Sequence, residues 1–146
     1  MKDWNSIKQE LYYEDGSLRD ILVLNTNRED WRKWSSLVND NYKVEFYNGR
    51  TLKTESRIDL EVVFSFWEDS GSFDEPIKAT IKLGEVNIMC YFFIESEIEN
   101  DIEPREVKTE ENHQAILSYL QSVADILGKK VVLTPEMEAE TILLEI

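Results

Sequence analysis

The sequence predicts an α+β protein, a mostly antiparallel sheet of about six to eight strands with two helices packed on it. Three observations carry this. Segments of period-two hydrophobicity recur from end to end, joined by turn-forming pairs such as Asp15-Gly16, Asn48-Gly49 and Gly84-Glu85. Only two segments, 26–38 and 109–128, place apolar residues at helical spacing behind an N-cap signature. Finally, 146 residues with 42% hydrophobic content, including six Phe, six Tyr and four Trp, can furnish one core, so a single globular domain over 1–146 is expected.

In chain order, Ile7–Tyr13 and Arg19–Leu24 flank Asp15-Gly16, and the pair predicts a hairpin with a type I′ turn. The second of these strands, with its DILVL run, is apolar enough to lie inside the sheet. Thr26 and Glu29 form a capping box, opening a helix to about Val38 that turns Trp31, Trp34, Leu37 and Val38 toward the sheet. Tyr42–Tyr47 alternates as a third strand, 50–59 is irregular, and Leu60, Val62, Phe64 and Phe66 predict a fourth strand. Residues 68–76 form a loop whose acids do not follow the spacing of a calcium-binding loop. Ile77–Leu83 then pairs through Gly84-Glu85 with the next strand, its lysines 78 and 82 being candidates to face acids on an adjoining strand. Thr109 caps the second helix, whose stripe of Ile116, Leu117, Leu120, Val123, Ala124 and Leu127 ends at Gly128, a natural left-handed cap. Val131–Leu133 and Thr141–Ile146 read as the last strands.

The stretch 86–106 combines the most apolar and the most acidic runs. Val86, Ile88, Cys90, Phe92, Ile94, Ile98 and Ile102 share one side of an extended chain. On the other side Tyr91 and Phe93 are followed by Glu95, Glu97, Glu99, Asp101 and Glu103. The spacing of Ile94, Ile98 and Ile102 also permits a helix closed by Pro104, which would scatter those acids; the extended reading puts all five on one face.

Thirty acids against sixteen bases give a net charge of −14, which argues against nucleic acid and anionic membrane surfaces and favours a basic protein partner. The competing explanation of the charge is solubility, and of the acidic strand a charge-protected sheet edge. No run approaches a membrane span and the first residues carry no signal-like apolar segment, so a cytoplasmic protein is expected. One Cys and one His do not make a typical zinc site, glycine-rich phosphate loops are missing, and no cofactor or metal is expected. A Cys90–His113 pair is the one nucleophilic combination the sequence allows, against a buried, inert thiol and a structural histidine. No catalytic residue is assigned. The candidate partner-binding residues are Tyr91, Phe93, Glu95, Glu97, Glu99, Asp101 and Glu103, aromatic anchors beside a row of charge.

The segments DGSLRDILVLNT (15–26), with its Trp-containing helix following, DIEPREV (101–107) and LGKKVVLTPE (127–136) carry a resemblance. With its size and acidity, the chain resembles small acidic bacterial proteins of the toxin-immunity type. That resemblance implies a non-enzymatic binding protein whose partner is a toxin domain. Two other readings stand beside it: a small-molecule-binding domain or enzyme with a cleft between helix and sheet, near His113 or Cys90, and a structural subunit of a homo-oligomer. The sequence leaves the oligomeric state open.

Overall fold

A computed structural model describes residues 2–146. The fold is α+β, with one antiparallel sheet and, among the described residues, four α-helices in place of the two expected. The strands are β1 (Arg19–Leu24), β2 (Lys43–Asn48), β3 (Lys53–Glu55), β4 (Lys78–Leu83), β5 (Val86–Cys90), β6 (Glu97–Ile102), β7 (Val132–Pro135) and β8 (Leu144–Glu145). Their order across the sheet is β3-β2-β4-β5-β6-β1-β7-β8. The helices are α1 (Trp4–Leu11), α2 (Arg28–Asn41), α3 (Leu60–Glu68) and α4 (Glu110–Leu127).

The sheet has two unlike faces because each strand alternates. Ile21, Val23, Val44, Phe46, Ala79, Ile81, Ile88, Cys90, Ile98 and Leu133 point to one side and are buried with the helices' apolar stripes. Lys43, Glu45, Lys78, Lys82, Asn87, Met89, Glu97, Glu99 and Asp101 occupy the other, and are exposed or half-buried. As expected, β1 lies inside the sheet, paired on both sides. Lys82 meets Glu45 across the β2–β4 pair at 3.5 Å.

Three expectations are corrected. The predicted first strand, Ile7–Tyr13, is helix α1: Asp3 accepts a hydrogen bond from the Ser6 N–H as N-cap, and Ile7 and Leu11 recur at helical spacing. No hairpin forms at Asp15-Gly16, because Arg19, fully buried, draws the chain reversal around its guanidinium by donating to the carbonyls of Leu11 and Tyr13. The predicted fourth strand is helix α3, capped by Asp59 with Glu61 in its first turn, where carboxylate meets the positive end of the helix dipole. Its residues are almost all apolar, so a period of two and a period of 3.6 both match, and the cap decides.

Smaller differences have local causes. Asn27, not Thr26, caps α2, in a box with Asp30, because the Thr26 hydroxyl is spent on the Glu95 carbonyl at 2.8 Å. Within 50–59, Lys53–Glu55 adds a short edge strand beside β2. The last predicted strand shrinks to Leu144–Glu145.

Candidate functional site

The extended reading of 86–103 holds for β6 but not as one strand. β5 ends at Cys90, the chain reverses through 91–96, and β6 returns antiparallel to it, with Met89 opposite Asp101 and Cys90 opposite Asn100. Phe92 causes the break. Its φ of +55° is the left-handed conformation, which ends the ladder and sends its ring into the core between Trp31, Trp34 and Phe46.

The reversal is held from several directions. Trp31 Nε1–H donates to the Glu95 carbonyl at 2.8 Å, Trp67 Nε1–H to the Phe92 carbonyl at 2.7 Å, and the Thr26 N–H to the Ser96 carbonyl at 3.0 Å. So anchored, the loop holds Phe93 and Ile94 out in solvent, at 62% and 49% exposure. Ile94 thus leaves the buried side assigned to it. Tyr91 stacks on Phe93 with ring centroids 5.7 Å apart, just past the end of β5.

The five predicted carboxylates divide. Glu97, Glu99 and Asp101 do share a face of β6, the face away from the helices. Glu95 instead turns to α2, where it pairs with Arg28 at 2.8 Å, and Glu103 lies past the strand, held by Arg105 in a short 3₁₀ turn. In their place the fold brings in acids that sequence reasoning missed. Asp20 on β1 stands directly opposite Asp101, and Glu136 follows β7, accepting a hydrogen bond from the Leu18 N–H at 2.9 Å. The signal for Asp20 was present: it alternates with Ile21 and Val23 in a strand whose other face, Asp20, Leu22 and Leu24, points away from the core.

These acids raise one another's affinity for protons. Burial first, then Asp20, Glu99 and Glu136, push the Asp101 carboxyl up to about 7. Asp20 is raised by burial and by Glu136 against a lowering hydrogen bond from the Met137 N–H, and Glu99 by burial, Asp20 and Glu97. Among the described residues no ion pair includes Asp20, Glu97, Glu99, Asp101 or Glu136.

Cys90 and His113 are each occupied elsewhere. The thiol is fully buried beside Asn100, and burial pushes it up to about 12. His113 Nδ1 lies 2.6 Å from the Tyr12 hydroxyl. Burial lowers the histidine and raises the tyrosine, so the phenol keeps its proton and donates it to a neutral imidazole. A cavity of about 330 Å³ opens beside His113, walled by Ile7, Leu11, Leu117 and Leu143.

No protein-family model, curated protein or solved structure matches the chain. Among the described residues no helix is long and apolar enough to cross a membrane, and no three His, Cys, Asp or Glu side chains are grouped to hold a metal ion.

Proposed function

We propose that this protein is a non-enzymatic binding module that meets a basic protein with the open face of its sheet. The observation that carries the reading is the juxtaposition of Glu97, Glu99 and Asp101, free of any ion pair among the described residues, with Phe93 and Ile94 on a loop too firmly tied to withdraw them. Exposed apolar anchors beside unneutralised charge suit an interface in which a few buried side chains supply affinity and the charge supplies rate and selectivity. The resemblance to proteins of the toxin-immunity type supports a toxin domain as that partner, neutralised by being covered.

The test begins with capture of the partner from the native host and the identity of the neighbouring reading frame. Association of the purified pair is then followed with E97K/E99K/D101K. Charge reversal is expected to slow association at least tenfold at low salt and to flatten its dependence on ionic strength. Kinetics indistinguishable from those of the unaltered protein would sink the reading.

A further inference from the structure

Ile7 and Leu11 lie four apart on α1, His113 and Leu117 four apart on α4, and each pair therefore shares a helix face. Together with Leu143 and Leu144 at the start of β8 they wall the cavity of about 330 Å³ beside His113. Its size is at the small end of the roughly 300–1,000 Å³ found for ligand pockets. Ile7, Leu117, Leu143 and Leu144 are only half-buried, so apolar surface inside is left uncovered. Lys2 and Glu10, both exposed, form an ion pair with each other at the rim.

One buried polar atom faces this space without a partner. Tyr12 is wholly buried, and its hydroxyl has no acceptor among the described residues but His113 Nδ1, so the phenol donates and the imidazole carries its own proton on Nε2. The two ring nitrogens point well apart, which directs Nε2–H away from Tyr12. Among the described residues nothing accepts a hydrogen bond from it. Nor is Nε2 sealed off: the side-chain polar atoms both closed to solvent and unpartnered are Asn100 Nδ2 and Thr134 Oγ1. With His113 only 4% exposed, the open space that Nε2 borders is the cavity. Trp4 lies against the same ring, centroids 5.9 Å apart, and with Tyr12 it holds the donor in place before any ligand arrives.

We propose that this cavity binds a small uncharged molecule of mostly hydrocarbon surface, held by one carbonyl oxygen that accepts from His113 Nε2–H. Leucine and isoleucine walls match the hydrocarbon, and the single fixed donor matches the single acceptor. A carboxylate suits the site less. It would leave water for one neutral donor, because Lys2, the one cation lining the cavity among the described residues, is already paired with Glu10. The net charge of −14 repels an anion besides. In this tautomer Nε2 gives a hydrogen bond and takes no proton, so the imidazole positions a ligand and is no general base at that atom. The site shares no residue with the acidic docking face, and the inference goes beyond that reading and is tested separately from it.

The test uses the full chain with acetophenone as probe. Isopropenylbenzene, in which a methylene group replaces the carbonyl oxygen, is the apolar control and benzoate the anionic one. Binding is read from leucine methyl resonances and from the His113 Nε2 resonance. Acetophenone is expected to give saturable shifts at Leu11, Leu117, Leu143, Leu144 and Nε2, and to bind about fivefold tighter than isopropenylbenzene, the worth of one neutral hydrogen bond. Benzoate should bind more weakly than either. L117W fills the cavity from a half-buried position and is expected to abolish the shifts, while H113F should bind acetophenone and isopropenylbenzene equally; the fold of both variants is checked by amide spectrum. Should neither variant fold, the comparison of ligands on the unaltered chain still decides. Equal affinity there for acetophenone and isopropenylbenzene, tighter binding of benzoate, or no saturable shift at these leucines would each overturn the proposal.

Discussion

Asp101 stores free energy that pH releases. Its carboxyl binds a proton more tightly in the folded chain than in the unfolded one, so the folded state loses stability as pH rises from the ordinary carboxylate range through about 7. Asp101→Asn removes the ionisation while keeping the shape. At pH 8 it is expected to raise stability by about 1–3 kcal/mol, and at pH 4 to change it little, as read from denaturant midpoints across that range. His113 works in the opposite direction. Buried and lowered, it must lose its hydrogen bond from Tyr12 to take up a proton, so its contribution is complete above the usual histidine range and fades as pH falls below about 6.5. Tyr12→Phe strands the imidazole nitrogen in a buried site and is expected to cost about 1–3 kcal/mol at pH 7.5, with a smaller cost at pH 5. Equal costs at both values would show that His113 does not change its protonation state between them.

The loop 91–96 illustrates how a buried side chain of one element sets what another exposes. Trp31 lies in α2 with its ring wholly buried, yet its indole N–H fixes the carbonyl of Glu95 and with it the direction of Phe93 and Ile94. Trp31→Phe keeps an aromatic ring there but loses this donor. Amide exchange in 91–96 is expected to quicken at least tenfold relative to β4 and β5; unchanged exchange would mean that the Thr26 and Trp67 bonds suffice. Much of the architecture was legible in the sequence at this scale: β1, β2, β4, β5, α2 and α4 are each announced by a period and a cap or turn. Helices α1 and α3 were not, because an apolar run such as 60–67 matches both periods and only Asp59 tips the balance. The acids were legible by alternation on β6 and, for Asp20, on β1; their meeting was not. Alternation along one strand identifies a face, whereas bringing Asp20 from 81 positions away in the chain to Asp101 is a matter of strand order, which no local pattern encodes. For the same reason Glu95 and Glu103, in step with the row, could not be seen to leave it for Arg28 and Arg105.

For the molecule as a whole, two accounts of the acidity predict opposite bookkeeping. If the charge serves solubility alone, acids are interchangeable and neutralising any three has the same effect. If Glu97, Glu99 and Asp101 form a binding face, they are held together against their own repulsion, within a Debye length of about 8 Å, and folding bears the cost. The isosteric triple variant E97Q/E99Q/D101N changes the formal net charge from −14 to −11, since three acids are replaced by amides. It is expected to raise the melting temperature by several degrees at pH 7.5 and low salt, because about 1 kcal/mol moves a domain of this size by roughly 3–5 °C. In the same conditions it should slow association with a basic partner severalfold. A control that neutralises Glu14, Asp74 and Glu85, exposed, outside the helices and in no ion pair among the described residues, carries the same formal −11 but should leave both quantities nearly unchanged. A stabilised protein that binds poorly is the signature of a surface kept strained for recognition. Were the two variants to behave alike, the face would be ordinary solvated charge and the docking reading would lose its footing.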